Sequence, residues 1–226
     1  MEEWPGKNME FEAIRKTETG FISTWTKPLP EIVVRNVCKN CNEGWMSELE
    51  TKVAPILTPM VKGNPMTLTD ELQVNICIWV TKCAILFDGI MNGGEGIFYV
   101  DVDRHNFFKT LEFGAHSYFW LGHYAGPKLR AYTRHGTKSG SKTTTPFNAH
   151  IITFAFGRLV LQMLDIKFIK SQDGTDFRMR ADGHWSLHSI ELCSKSYGDL
   201  PWPPHFSFDD SYHTFDKFSD RFGRLL

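Results

Sequence analysis

NAHIITFAFGRLVLQML, residues 148–164, decides the fold class. It is two strongly apolar runs joined at Gly157, and both halves read as strands. Strand texture extends outward from there. Upstream, HSYFWLGHY (116–124) and KLRAYTR (128–134) flank Ala125, Gly126 and Pro127 and read as a hairpin. Before them, IFYVDV (97–102) reads as a strand and DRHNFFKTLEF as a short helix with Asp103 as its cap. Downstream, FRMRAD and HWSLHSIEL (within 177–192) read as another strand pair. The tail carries LPWPPHFSF, rigid and extended. A final helix, SYHTFDKFSDRF, follows, capped by Asp209 or Asp210, with Phe215, Phe218 and Phe222 along one side.

The front of the chain differs. Residues 1–30 hold Pro5, Gly6, Gly20, Pro28 and Pro30 and read as loops and short strands. EIVVRNV (31–37) is a strand running into a cysteine pair, and a helix over about 45–53 comes next, limited or kinked by Pro55 and Pro59. VKGNPM (61–66) is a turn. The clearest helix then starts at Thr69, its cap, with Asp70 and Glu71 complementing the dipole. Leu72, Ile76, Trp79, Val80, Cys83 and Phe87 recur along it, and Asp88-Gly89 and Asn92-Gly93-Gly94 end it. The expected class is α+β, with a small helical front section holding a remnant ββα-like turn, a mostly antiparallel β-rich section and a C-terminal helix. We expect a single domain over 1–226, divided into a front part, 1–95, and a β-rich part, 96–226.

Composition narrows the role. The chain has 226 residues, a length that suits one large domain. A formal net charge of −1 gives no global field for nucleic acid or an anionic membrane surface, so such a role needs a local patch. Five cysteines, an odd and scattered set, point to a reducing cytosol rather than a disulfide framework. The acidic start MEEWPGKN does not read as a signal peptide, and the apolar run 76–87, broken by Thr81 and Lys82, is too short to span a bilayer. The expected location is the cytoplasm, without a membrane partner.

The cysteine pair lies in Cys38-Lys39-Asn40-Cys41-Asn42-Glu43-Gly44-Trp45-Met46-Ser47-Glu48-Leu49-Glu50. This stretch resembles the C-x-x-C-N-x-G-W-M-S-x-L-E signature of a bacterial and phage HNH-endonuclease-like family. Trp79-Val80-Thr81-Lys82 and Leu200-Pro201-Trp202-Pro203-Pro204 fit the same family. The resemblance implies a ββα-metal core, an upstream C-x-x-C, and a histidine that deprotonates water for phosphodiester cleavage. Here residues 1–37 contain neither Cys nor His, and the first histidine of the chain is His105. Asn42, Trp45 and Glu50 keep the motif without its base. The reading of Cys38 and Cys41 is a relic knuckle, a tight metal-free turn between strand and helix. The alternative is a four-ligand zinc site in which His184 and His188 join the two cysteines. Cys77 and Cys83, six apart on a helix, read as core thiols.

Lys128, Arg130, Arg134, Lys138 and Lys142, with His135 among them, form a basic run free of acids; Arg178 and Arg180 can extend it. Such a run can grip phosphates. Tyr118 and Trp120 share a side with Tyr124 and form either a base-stacking row or one buried sheet face. The expected function is a non-catalytic binding protein on a degenerate HNH-like scaffold of phage or mobile-element origin. Its ligand is a phosphate-bearing one (nucleic acid or nucleotide) or a host defence protein. One alternative is an active metal-dependent endonuclease drawing its base from His105, His184 or His188. Another is an assembly protein using its aromatic surface. A homo-oligomer is expected, and zinc is the only cofactor the residues suggest.

Overall fold

A computed structural model of the chain describes residues 10–17, 22–28, 37–91, 97–126, 128–139, 145–169, 188–193, 198–209 and 214–222. The expected α+β class holds: a helical front, a mostly antiparallel mixed sheet of eight strands, and a C-terminal helix.

The centre of the sheet is the opening stretch of sequence. β6 (Phe147–Phe156) and β7 (Leu159–Phe168) pair antiparallel, with Phe156 opposite Leu159, so the turn is only Gly157 and Arg158. Gly157 has φ +56°, which a glycine at the first position of a tight hairpin turn adopts without strain. Both strands are buried almost throughout, which explains runs that are apolar rather than alternating.

Around this pair lie β4 (Ser117–Tyr124) against β7 and β5 (Leu129–Lys138) against β6. β4 and β5 therefore do not form the hairpin expected from their short connection; two strands separate them. The end of β4 and Ala125 meet the β6–β7 turn instead. Tyr124 donates its N–H to the Arg158 carbonyl, and Arg158 Nη1 donates to the Ala125 carbonyl. β1 (Glu10–Lys16) joins the far edge of β5 in parallel, and β2 (Ile22–Pro28) pairs antiparallel with β1. At the other edge, β8 (Ser189–Leu192) pairs antiparallel with β4, and β10 (Ser207–Phe208) runs parallel to it. FRMRAD, expected to partner this segment, lies outside the described residues. β3 (Met66–Leu68) and β9 (Leu200–Trp202) make a separate two-stranded ladder.

The cysteine turn α1 (Lys39–Cys41) runs through a π-helical turn (Asn42–Met46) into α2 (Ser47–Val61). α2 continues past Pro55 and Pro59, where the sequence suggests a stop. Its stripe of Leu49, Val53, Ile56, Leu57 and Met60 is buried, and that burial offsets the helix hydrogen bonds the prolines remove. α3 (Asp70–Met91) starts at Thr69, whose hydroxyl accepts from Leu72 N–H, and runs past Asp88-Gly89. It is longer than the broken apolar run implies and is apolar enough to cross a membrane; 56% of its most apolar window is buried within the protein, as in a core helix. Asp88 accepts the backbone N–H groups of Phe98 and Tyr99, each at 2.9 Å. These bonds pin 97–100 as a connector where a strand was expected. α4 (Asp101–Thr110) follows, and Asp103 accepts the Val100 N–H from inside the first turn rather than from the cap position.

The helices α2 and α3 cover one face of the sheet. α5 (Thr214–Ser219) covers part of the other, with Phe215, Phe218 and Phe222 packed against Trp120, Tyr124 and Phe208.

Candidate functional site

Cys38 is exposed at the start of α1. Its Sγ lies 2.8 Å from Cys41 Sγ and accepts the Cys41 N–H at 3.1 Å. Its hydrogen bonds with Cys41 lower the Cys38 pKa, while the bond with Cys38 and burial raise that of Cys41. A cavity of about 210 Å³ adjoins the pair, lined by Val37, Ile85, Leu86, Arg104 and Phe108. Among the described residues, no third His, Cys, Asp or Glu joins the two thiols as a metal-binding group. His188, one of the expected ligands, instead packs beside Phe206 and Phe208 near the β4 edge; His184 lies outside the described residues. His105 is exposed on α4. Asn42 is exposed in the π-helical turn, and Trp45 packs on Phe107 and Phe108. Glu50 forms an ion pair with the buried Lys82, so the signature helix and the Trp79–Lys82 segment meet directly.

The basic run is acid-free only in sequence. Arg130 and Arg134 lie on β5, in the stretch expected as a strand, and are buried there. Arg130 pairs with Glu12 and Asp216 and stacks over Phe215, and Arg134 pairs with Asp220 at 2.7 Å. Asp220 also takes Lys16 and the Tyr132 hydroxyl, and these donors hold its carboxyl below the ordinary value despite partial burial. Lys128 is exposed at 3.9 Å from Glu12, Lys138 is exposed at the end of β5, and Lys142, Arg178 and Arg180 lie outside the described residues. Tyr118 and Trp120 do stack, at 6.3 Å and 19°, but Trp120 is 2% exposed, beneath Arg221 and Phe222. It belongs to a buried sheet face.

Two sites come from residues that local reading does not single out. The first is a polar row. Ser117, Asp165, His150 and His135 stand in register on the neighbouring strands β4, β7, β6 and β5. Ser117 Oγ donates to Asp165 Oδ1 at 3.0 Å, and His150 Nε2 meets Thr133 Oγ1 at 2.8 Å. Burial pushes the Asp165 carboxyl up to about 6, against the pull of Ser117 and Lys167. Burial likewise drives His150 down to about 3, so it is neutral. Lys167 Nζ binds Asp103 and the Phe98 carbonyl and lies over the Phe98 ring. A cleft of about 410 Å³ between α4 and the sheet is lined by Asp103, Asn106, His116 and Lys167, with the buried Asp165 at its wall. A carboxyl poised near 6 can exchange a proton near neutrality. The sequence does hold a signal for part of this row: a two-residue turn at Gly157 fixes the register and places His150 opposite Asp165.

The second is an apolar cavity of about 440 Å³ between α2, α3 and the sheet, walled by Leu57, Trp79, Phe87, Leu129, Phe154 and Phe156. Trp79 and Phe156 stand 6.0 Å apart, and Phe87 and Phe154 4.9 Å. Cys83 also lines it, its thiol pushed by burial up to about 12. The buried Arg130 also lines it and is paired with Glu12 and Asp216.

Comparison with protein-family models, with curated proteins and with solved structures returns no match.

Proposed function

We propose that the chain is a binding protein, non-catalytic at its ligand cavity, whose ligand inserts a compact apolar or aromatic group between α2, α3 and the sheet. The character of that cavity carries the reading. Its volume lies within the range of small-molecule sites, and its aromatic walls offer burial and ring contact. Its chemistry is inert: a thiol held near 12 is neither nucleophile nor base at neutral pH, and Arg130 is committed to carboxylates. Such a site can hold a ligand but not transform it.

A phosphate-bearing ligand draws on less than the sequence suggests. Arg130 and Arg134 are neutralised by ion pairs, so among the described residues the exposed Lys128, 3.9 Å from Glu12, and Lys138 are its support. Descent from an HNH-like scaffold and a host defence partner belong to the same proposal, on the resemblance carried by residues 38–50, 79–82 and 200–204.

The test is a fluorescence titration of the full chain with N-phenyl-1-naphthylamine, an uncharged apolar probe, beside ATP and single-stranded DNA. Thr58 sits exposed on the cavity rim, so Thr58→Phe narrows the mouth without touching the core. We expect saturable probe binding that weakens at least tenfold in T58F. Absence of saturable binding, or binding indifferent to T58F, refutes the cavity as the site. Salt-sensitive binding of ATP or DNA alone returns the phosphate reading. Divalent-metal-dependent cleavage of DNA ends the non-catalytic one.

A further inference from the structure

Cys38 and Cys41 are held for chemistry that neither the cavity nor the basic run uses. The Asn42 N–H donates to the Cys38 carbonyl at 3.0 Å and closes one helical turn, which sets the two side chains on the same face. Residues three apart in such a turn have Cα atoms within the ~4.4–6.8 Å span that a disulfide bridges. The sulfurs already lie 2.8 Å apart, so closing the bond takes a small side-chain rotation and no backbone rearrangement. Exposure is unequal: Cys38 faces solvent and Cys41 is half-buried behind it. That asymmetry is what an attacking and a resolving thiol require. The adjoining cavity of about 210 Å³ is apolar along Val37, Leu86 and Phe108, and among the described residues Arg104 is its cationic side chain.

We infer that Cys38 and Cys41 form a thiol–disulfide exchange site for low-molecular-weight disulfides bearing a carboxylate, with Cys38 attacking, Cys41 resolving and Arg104 receiving the carboxylate. In the first step, Cys38 forms a bond to one sulfur of the disulfide R–S–S–R, the S–S bond breaks, and one R–SH leaves with the Cys38 proton. In the second, Cys41 attacks Cys38 Sγ and expels the second R–SH with its own proton. The dithiol loses two electrons and becomes the Cys38–Cys41 disulfide, and the substrate gains them as two thiols. A reducing thiol pool reverses both steps. Cys77 and Cys193, 3.4 Å apart on the core side of β8, form a separate pair and serve as the internal control.

The experiment uses the full chain, reduced and freed of reductant. It is equilibrated under nitrogen with glutathione buffers of graded ratio, acid-quenched, labelled with a maleimide and mapped by peptide mass. The expected result is reversible loss of label at both Cys38 and Cys41 with one shared midpoint, and release of two reduced glutathiones per chain oxidised. Cys41→Ser should trap glutathione on Cys38, Cys38→Ser should abolish the reaction at this pair, and Cys193→Ser should leave it unchanged. Arg104→Ala should slow exchange with glutathione disulfide several-fold, with little effect on an uncharged disulfide such as 2-hydroxyethyl disulfide. Full labelling of both cysteines at every ratio overturns the proposal. So does a glutathione adduct on the native chain that Cys41 never resolves, or protection of the pair that a metal chelator removes.

Discussion

Asp165 and His150 face each other across β6 and β7 with their protonation equilibria displaced by the same burial. The consequences for stability have opposite signs. Asp165 is raised from 3.8 to about 6, so between those values the native chain keeps a proton that the unfolded chain has lost. Its contribution is present below pH 4 and is lost as pH rises through 6. His150 is lowered from 6.5 to about 3, so over that window the unfolded chain holds the extra proton. Its contribution is present above 6.5 and is lost as pH falls through 3. Between pH 4 and 6 the two slopes oppose each other, each at most about 1.4 kcal/mol per pH unit. Asp165→Asn should therefore gain stability relative to the native protein as pH rises from 4 to 6, and His150→Gln should lose it, each by roughly 1 kcal/mol per pH unit. Urea unfolding of the three proteins at pH 4, 5 and 6 measures this. Stability differences that stay constant across those pH values would remove the buried pair as the cause.

At the scale of elements, the hairpin tip between β6 and β7 is also a docking surface. Arg158 N–H donates to the Val61 carbonyl at 2.8 Å, at the C-terminal end of α2, where carbonyls lack helical partners. Gly157 makes that approach feasible. A Cβ there would stand 2.4 Å from the Val61 oxygen and 2.5 Å from Val61 Cγ1, at a φ of +56°. Gly157→Ala should cost about 2–4 kcal/mol, from left-handed strain plus overpacking. The urea midpoint should fall with an unchanged slope; a variant as stable as the native chain would show that the tip does not rest on α2. The β6–β7 pair was legible in the sequence because its turn is local and its glycine conspicuous. The α3 start was legible for a similar reason, since Thr69 and the stripe behind it lie within a few turns. The partner of β4 was not legible. A short connection suggested β5, while the buried face of the sheet selected β7, more than thirty residues further on. The same non-locality hid the ion pairs of Arg130 and Arg134, whose acids arrive on β1 and in and just after α5. It hid most of the polar row as well, because Ser117 and Asp165 are 48 residues apart and only sheet register joins them.

At the scale of the whole molecule, the sheet is an inner layer between two apolar clusters. One cluster mixes Leu49, Val53 and Met60 of α2, and Ile76 and Val80 of α3, with Ala13 of β1, Ala131 of β5 and Ile152 of β6. The other sets Phe215, Phe218 and Phe222 against the opposite side of the same strands. β1, from the front of the chain, is hydrogen-bonded to β5 in the β-rich part. Neither part can unfold without exposing apolar surface on the other, and each buried side chain carries about 1.5–3 kcal/mol of that coupling. Unfolding should therefore be one cooperative transition across the expected division near residue 95. The tryptophans report on separate places: Trp45 and Trp79 on the helices, Trp120 on the α5 face of the sheet, Trp202 in the β3–β9 ladder. Fluorine NMR of the 5-fluorotryptophan protein through a urea series resolves them individually. Their native signals should vanish at one common midpoint that coincides with the loss of far-ultraviolet circular dichroism. Earlier loss at Trp45 and Trp79 than at Trp120 would instead make the helical front a separately folding unit, joined to the sheet by a contact that contributes little to its stability.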